Sequence, residues 1–248
     1  MWAKSLLAVC AVGCSVVLLA ACSSSSSTTS STSGLGSPAS TSTPEGSSSS
    51  PAPASLSQLK TIVLQAADLP PGWKGTPYRS DPNDAANQAA LVSCVGARNT
   101  AGDKVAEAHS DDFALGDATI SSSASSYRSQ SDLETDVAIL HSPKLPPCYD
   151  QLIRKQLATS LPAGTTIESE SIKIKPGSAG GPANVVATGT GTIAVSVNGQ
   201  HVPVYLTVAF IIGPLIQAEV DTENVGTPVP QSVVTSVVAT VAARAAKG

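Results

Sequence analysis

Hydroxyl and carboxyl side chains follow one another along three segments near the C-terminus, and they are the residues best suited to bind a ligand. Thr190, Tyr205 and Thr207 fall on the polar side of two predicted strands, and Glu219 and Asp221 fall on the next strand. If these side chains share one face, hydroxyl groups lie beside carboxylates. Such a face can bind a sugar, a peptide or a cation, and it equally fits an ordinary solvated face of an antiparallel sheet.

No catalytic motif accompanies this face. The chain has no Gly-x-Ser-x-Gly elbow and no Walker A sequence. His109-Ser110-Asp111-Asp112 offers an imidazole and two carboxylates to a cation, but adjacent aspartates are also typical of a solvated turn. His109, His141 and His201 share no spacing that indicates a Ser/His/Asp triad. The sequence therefore predicts no catalytic residue, no metal site and no cofactor.

Charge and aromatic content argue against two further classes of protein. Charged residues make up 13% of the 248 residues, and the formal net charge is −4. With 14 lysines and arginines, the chain does not have the basic character of a nucleic-acid-binding protein. Aromatic residues make up 3%, which argues against an aromatic-lined cofactor pocket.

The first 21 residues are predicted to be a secretory signal peptide. Of these residues, 17 are apolar, Lys4 supplies a positive charge, and Leu6–Ala21 ends in small residues. Leu19-Ala20-Ala21-Cys22 resembles the bacterial lipobox, which implies cleavage before Cys22 and a palmitate-type lipid anchor on its thiol. An uncleaved membrane anchor and ordinary cleavage with a free thiol are the alternatives. Lipidation would hold the protein on the extracytoplasmic face of the cell membrane.

A spacer and a single domain are predicted to follow. Residues 23–55 hold 16 Ser, five Thr, four Pro and three Gly, with Glu45 as the one charge. Such a segment cannot bury enough apolar surface to offset the entropy of ordering, so it is predicted to be a disordered tether. Its glycosylation is left open. Residues 56–248 have the length of one globular domain.

Two cysteines belong to this domain. Cys10 and Cys14 lie in the signal peptide and Cys22 carries the lipid, which leaves Cys94 and Cys148. In an exported protein these two are expected to form a disulfide. Neither has the CxxC spacing of a redox motif or a histidine at zinc-motif spacing.

Hydrophobic periodicity predicts an α+β fold, with an antiparallel β-meander packed on one face by helices that include a C-terminal helix. The predicted helices are Leu56–Ala67, Asp84–Ala97, Asp132–His141, Pro147–Ser160 and Pro230–Ala246. The predicted strands are Phe113–Leu115, Thr119–Arg128, Thr166–Lys175, Val185–Val197, His201–Ile212 and Ile216–Glu223.

The clearest hairpin signal is Asn198-Gly199, which pairs residue 197 with residue 200. This register places the glycines at 189 and 191 opposite the large side chains of Val208 and Leu206, on an apolar face.

The next strand can pair in two registers that differ by one residue, and they expose opposite sides of it. A three-residue Gly213-Pro214-Leu215 loop places Ile216, Ala218 and Val220 on the apolar face. A two-residue loop would bring the carboxylates there instead. We therefore predict the three-residue loop.

The segment Ala67-Asp68-Leu69-Pro70-Pro71-Gly72-Trp73 after the first helix resembles exported actinobacterial lipoproteins and the extracellular sensor domains of mycobacterial serine/threonine kinases. The later order of Ser-rich strand Ser121–Tyr127, helix, Cys148, meander and terminal helix is similar as well. The resemblance implies a compact α+β domain with a ligand-binding cleft outside the membrane. The chain departs from those kinases in having one cysteine pair rather than two and no kinase domain, so the resemblance transfers no site residues.

Three functions from different classes fit these observations. The first is a membrane-anchored binding or sensor module for a small molecule, a glycan or a protein. The second is a carrier of lipids or glycolipids, which needs a large aliphatic cavity. The third is a cell-wall hydrolase, which needs a cleft that gathers histidine and acid side chains.

Overall fold

The computed structural model describes residues 51–160, 165–177, 184–197 and 199–248. The helices, numbered in chain order, are α1 (Leu56–Ile62), α2 (Asp84–Val95), α3 (Gln130–Leu140), α4 (Leu145–Ser160) and α5 (Gln231–Ala245). The strands are β1 (Lys74–Thr76), β2 (Lys104–His109), β3 (Asp112–Leu115), β4 (Ala118–Tyr127), β5 (Thr165–Pro176), β6 (Val185–Val197), β7 (Gln200–Gly213) and β8 (Ile216–Val225).

The described strands form one eight-stranded antiparallel sheet. The order is β1-β3-β4-β8-β7-β6-β5, and β2 pairs with the part of β4 that β3 leaves free. Strands β5 to β8 are the predicted meander, and β4 continues the sheet beyond β8. The predicted fold class is therefore confirmed: an antiparallel sheet with helices against it, including the C-terminal helix.

One side of the sheet, called here the α5 face, is covered by α1 and α5. Ala209, Ile211, Ala218 and Val220 project from this side and form a buried core with apolar side chains of both helices. Helix α5 contributes a stripe of valines at helical spacing, Val234, Val237 and Val241. The valine repeat of the sequence thus forms a helix despite its β-branched side chains, because its apolar face is buried.

The opposite side, called here the α4 face, is covered by α2, α3 and α4. Ile153 of α4 packs on Ile193, Val195 and Val204 of the sheet. A disulfide between Cys94 of α2 and Cys148 of α4 joins two of the helices, as the sequence predicted. The helices therefore lie on both sides of the sheet, whereas the sequence suggested a solvated second face.

The hairpin between β6 and β7 has the predicted register. Val197 pairs with Gln200, Gly191 with Leu206 and Gly189 with Val208. A Cβ atom added to Gly189 would lie 2.5 Å from Val208 Cγ1, whereas one added to Gly191 would lie 3.4 Å from Leu206. Gly189 is thus required by the close approach of its neighbour, and Gly191 is not.

We expect Gly189→Ala to lower the free energy of unfolding by about 1–3 kcal/mol, because the new methyl group displaces a packed valine. Gly191→Ala is expected to leave the free energy of unfolding unchanged or to raise it by up to about 1 kcal/mol, since its methyl group meets ordinary contact distances and alanine restricts the unfolded chain more than glycine does. Urea unfolding of the two variants measures the difference. An equal decrease in the free energy of unfolding of Gly189→Ala and Gly191→Ala would contradict the prediction that Val208 requires a glycine opposite it.

The register of β8 differs from the prediction by one residue. Gly213 pairs with Ile216 across a two-residue turn, so Val208 lies opposite Asp221 and Phe210 opposite Glu219. Leu215 occupies the second turn position with φ of 55° and is buried, a conformation that costs a leucine about 1 kcal/mol. The predicted loop of three residues is therefore wrong. The acidic side chains of β8 point to the α4 face, and the apolar ones point to α5.

The N-terminal part of the described chain is fastened to the α5 face. Ser126 Oγ donates a hydrogen bond to the carbonyl of buried Ala54 at 2.9 Å. Beyond α1, Arg244 donates to both carboxylate oxygens of Asp68 at 2.7 and 2.8 Å and to the carbonyl of Val63 at 3.2 Å. These bonds tie the segment that includes Asp68-Leu69-Pro70-Pro71 to the last turn of α5.

Candidate functional site

A cavity of about 120 Å³ lies between the α4 face of the sheet and helices α2, α3 and α4. Its lining comes from nine elements, the three helices and strands β3 to β8. The apolar side chains include Leu91, Val92, Ile139, Leu140, Leu145, Tyr149, Ile172, Ile174, Leu206, Val208 and Phe210. The polar ones include Gln88, Asp112, Thr119, Ser121, Asp136, Gln217, Glu219, Asp221 and Glu223.

The apolar and polar parts of the lining lie on different strands. The apolar wall is formed by β5 to β7 together with the helices, and Gly189 and Gly191 leave room beside the larger side chains of β7. The polar wall is formed by β8 and β4, where Ser121 pairs with Asp221 and Thr119 with Glu223. The cavity is therefore amphipathic, with an aliphatic side and an acidic side.

The acidic side contains a carboxyl pair, Glu219 and Asp221. Glu219 is 4% exposed, and its Oε1 has no hydrogen-bond partner within the described residues. Burial, and then the neighbouring charge of Asp221, raise the pKa of Glu219 well above its usual range. Burial also raises the pKa of Asp221 to about 7, against a hydrogen bond with Glu219 that lowers it. Near neutral pH the two carboxyl groups therefore share a proton.

Lys104, which is itself buried, is a cation whose charge acts on Glu219. Its Nζ lies 3.6 Å from Glu107 Oε1, and Ser125 Oγ donates to the same oxygen at 3.3 Å. Burial lowers the pKa of Lys104, and the charge of Glu107 opposes that shift. Lys104 is therefore paired with Glu107, and its effect on Glu219 is secondary.

A second, smaller cavity of about 10 Å³ touches the carboxyl pair from another side. It is bounded by Tyr78 and His109, whose rings stack with centroids 3.9 Å apart. Burial, and then the charge of Lys104, lower the pKa of His109 to about 4. His109 is thus neutral at pH 7 and supplies no positive charge to the carboxylates.

Asp136 of α3, also in the cavity lining, is satisfied by hydroxyl groups. Thr100 Oγ1 donates to one carboxylate oxygen at 2.5 Å, and Tyr127 Oη donates to the other. Burial, and then Asp136, raise the pKa of Tyr127, which keeps the phenol protonated as a donor. Asp136 therefore has a structural role that Glu219 does not share.

The structure divides the predicted binding face between the two sides of the sheet. Thr190 pairs with Thr207, and Thr207 pairs with Thr222, so Thr190, Tyr205 and Thr207 project on the side of α5. Glu219 and Asp221 project on the α4 face. The prediction that hydroxyls and carboxylates lie side by side is wrong, because it depended on the incorrect register of β8. The two carboxyl groups remain together and line the cavity, and Thr190 and Thr207 also belong to its lining.

Other residues that the sequence singled out lie apart from one another. His109 belongs to β2, His141 follows α3 and contacts the Val186 carbonyl at 3.3 Å, and His201 follows the hairpin turn and contacts Glu168. Cys22, the signal peptide and residues 22–50 of the tether lie outside the described residues, so these predictions stand as predictions.

Sequence reasoning missed β2, and with it Lys104 and Glu107. Its sequence, Lys-Val-Ala-Glu-Ala-His, is rich in polar and small side chains and is typical of a solvated segment. The one signal is the alternation over Ala106–His109, and a bulge between Lys104 and Ala106 interrupts the period of two before it. It also missed Gln88 of α2, which is 4% exposed and whose Nε2 has no hydrogen-bond partner among the described residues.

None of the helices in the described ranges is long and apolar enough to cross a membrane. In the same ranges, no three His, Cys, Asp or Glu side chains are grouped as metal ligands.

No protein-family model and no curated protein matches the chain. Among solved structures, the extracellular domain of PknH from Mycobacterium tuberculosis is similar, with 9% identity and a TM-score of 0.46. The match covers 79% of this chain and 98% of that chain. The likeness is one of fold alone. It leaves the lipid anchor, the location and the ligand as predictions.

Proposed function

We propose that the protein is a lipid-anchored extracytoplasmic module that binds a small ligand in the cavity on the α4 face. The observation that carries this proposal is the cavity itself, which has a volume of about 120 Å³, an aliphatic wall and a buried acidic wall. Pre-formed pockets that are mostly apolar and contain a few convergent polar groups are typical ligand sites. The predicted signal peptide, the resemblance of the segment ending at Cys22 to a lipobox and the predicted Ser/Thr-rich tether support the location.

The size of the cavity favours a small ligand over a lipid. Engineered cavities of about 150 Å³ hold a molecule such as benzene, whereas a two-chain lipid needs far more room. The separate positions of the three histidines give no support to a hydrolase, so absence of catalysis stays a prediction. A binding or sensor module is therefore preferred to the carrier and to the enzyme.

Ligand binding is tested by filling the cavity with a side chain. Gly191 lines it, and a Cβ atom there meets its neighbours at ordinary contact distances. We expect Gly191→Val to weaken binding of the neutral probe benzyl alcohol to the full chain by about tenfold or more. The matched control is Gly102→Val, because a Cβ atom at Gly102 has open space around it.

Calorimetric titration of the full chain, purified in detergent, measures these affinities. If neither benzyl alcohol nor its charged analogues benzylammonium and benzoate bind the wild-type protein, the proposed function is wrong. Equal affinity in both variants would remove it as well, because the probe would then bind elsewhere.

Membrane attachment is tested at the predicted lipidation site. We expect Cys22→Ala to abolish incorporation of radiolabelled palmitate and to release the protein from the membrane fraction, because stable anchoring requires the acyl chains. Cys14→Ala, a change in the predicted signal peptide, is the matched control and should leave both unchanged. Palmitate incorporation that survives in Cys22→Ala would contradict the assignment.

A further inference from the structure

The carboxyl pair on the acidic wall is short of a counter-ion. Among the described residues, neither Glu219 nor Asp221 forms an ion pair, and Glu219 Oε1 has no hydrogen-bond partner. A buried carboxylate is costly unless it is paired and hydrogen-bonded. The empty pair reduces this cost by retaining a proton, and a bound cation can stabilise its ionised form instead.

The surroundings show that the missing group is positive. Lys104 is paired with Glu107 at 3.6 Å, and His109 is neutral at pH 7. The titratable groups around the carboxyl pair are Lys104, Glu107 and His109 on β2, Asp112 on β3, Tyr127 on β4, Asp136 on α3, Glu223 on β8, and Tyr78 and Asp84 before and in α2. Carboxyl groups dominate this set, so the local field attracts a cation.

The rest of the cavity shows what kind of cation fits. Leu206, Val208 and Phe210 of β7 form an aliphatic and aromatic wall that offers no ligand to a metal ion and no donor to a sugar. Burial of an apolar body against this wall is favourable. The site therefore combines a place for an organic body with a place for a positive head.

We infer that the cavity binds a small organic ammonium, with its apolar body against Leu206 and Val208 and its nitrogen bound by Glu219 and Asp221. An ammonium group has three N–H donors. Glu219 Oε1 and Gln217 Oε1, both without hydrogen-bond partners among the described residues, and the carboxylate of Asp221 are matching acceptors. The inference rests on the proposed function, since it names the ligand class of the same cavity.

The proton shared by the pair provides a second signature. Burial raises the pKa of both carboxyl groups, that of Asp221 to about 7, so the empty pair retains a proton near neutral pH. An ammonium favours the ionised form of both carboxyl groups, so that proton passes to the buffer on binding. Its release appears as a dependence of the binding enthalpy on the ionisation enthalpy of the buffer.

The test compares three probes of nearly equal shape, benzylammonium, benzyl alcohol and benzoate, by calorimetric titration of the full chain at pH 7. We expect benzylammonium to bind about tenfold or more tightly than benzyl alcohol, because charge-assisted hydrogen bonds are the stronger ones. Benzoate should bind more weakly than either. In Glu219→Gln and Asp221→Asn the ratio of the benzyl alcohol Kd to the benzylammonium Kd should fall towards one. The affinity for benzyl alcohol itself should be retained.

Glu134→Gln is the matched control, because it removes one negative charge from an exposed position of α3. Retained benzyl alcohol binding shows that the cavity variants are folded. If benzyl alcohol binds and is sensitive to Gly191→Val while benzylammonium binds no better, the inference is overturned and the proposed function stands. If no probe binds, both the proposed function and the inference of an ammonium ligand are wrong. A preference that survives both carboxyl substitutions, or tighter binding of Ca²⁺ than of the ammonium, also overturns the inference.

Discussion

Replacing Cys94 and Cys148 together with alanine is expected to lower the free energy of unfolding by about 4 kcal/mol. The bond closes a loop with a sequence separation of 54 residues, and a loop of this length restricts the unfolded chain by about that amount in the chain-entropy model. Urea unfolding of the full chain, oxidised and as the double variant, measures the change. Wild-type protein treated with a reductant should unfold like the variant.

The same change is expected to weaken binding in the cavity. Helix α2 contributes Leu91 and Val92 to the lining, and α4 contributes Leu145 and Tyr149. The disulfide joins these two helices, so its loss frees them to separate and to open the cavity. A decrease of less than about 1 kcal/mol in the free energy of unfolding of the double variant would contradict the stabilising role of the disulfide. Wild-type affinity of the double variant for benzyl alcohol would contradict its role in shaping the cavity.

The second large effect concerns pH. We expect the free energy of unfolding to decrease as the pH rises from 5 to 8, and Asp221→Asn to remove about 2 kcal/mol of that decrease. Burial raises the pKa of Asp221 to about 7, so the folded protein holds a proton that the unfolded chain releases near pH 4. A raised acid pKa contributes stability that is fully present below the unfolded value and is lost as the pH passes the folded value.

Other titratable groups also contribute to the pH dependence of the free energy of unfolding. The contribution of Asp221 is therefore obtained from the difference between the wild type and Asp221→Asn at each pH. Burial also raises the pKa of Glu170 to about 7 and that of Asp84 to about 6, with the same sign. His109 acts in the opposite direction, since burial lowers its pKa to about 4 and its stabilising contribution is lost below about pH 6.5. These three groups are present in both proteins and cancel in the difference, whereas Glu219 adds to it, because Asp221 helps to raise the pKa of Glu219.

Chemical unfolding of the wild type and of Asp221→Asn at several pH values gives the free energy of unfolding of each protein as a function of pH. Glu134→Gln is the control for a change of one surface charge, and its curve should be parallel to that of the wild type. Asp221→Asn should be the more stable protein at pH 8, although it is expected to bind the ammonium poorly. Parallel curves for wild type and Asp221→Asn would contradict a raised pKa at this carboxyl group.

Much of the sheet could be predicted because local and long-range signals agree there. Asn198-Gly199 marks the hairpin, and alternation along Val185–Val197 and β7 gives the same register as the turn. The two glycines opposite Leu206 and Val208 are a further signal, since they leave space for large side chains across the strand pair. The C-terminal helix was predictable from its valine spacing.

The register of β8 could not be predicted, because two rules that usually hold both fail there. A leucine in a left-handed conformation is disfavoured, and yet Leu215 adopts it in the turn. Carboxyl groups are expected to face water, and yet Glu219 is buried. Exceptions of this kind concentrate at strained or functional positions, so the error coincides with the candidate site.

The candidate site itself was only partly accessible from the sequence. Glu219 and Asp221 were identified because their residue types stand out, but their neighbours were assigned from the wrong register. Lys104, Glu107 and Gln88 could not be associated with them, since strand β2 and helix α2 are more than a hundred residues away in the chain. The pairing of β4 with both β2 and β8 brings Lys104 and Glu107 to the carboxyl pair, and the packing of α2 over the cavity brings Gln88.

The fastening of the N-terminal segment has a mechanical consequence. A pull on the chain at residue 51 is received by the Ser126 bond to Ala54, by α1 and by the Arg244 clamp on Asp68, all of which lie on the α5 face. The cavity lies on the other side of the sheet, between the meander and the disulfide-joined helices. Tension applied at residue 51 is therefore borne by contacts of Ala54, Asp68, Ser126 and Arg244, none of which lines the cavity.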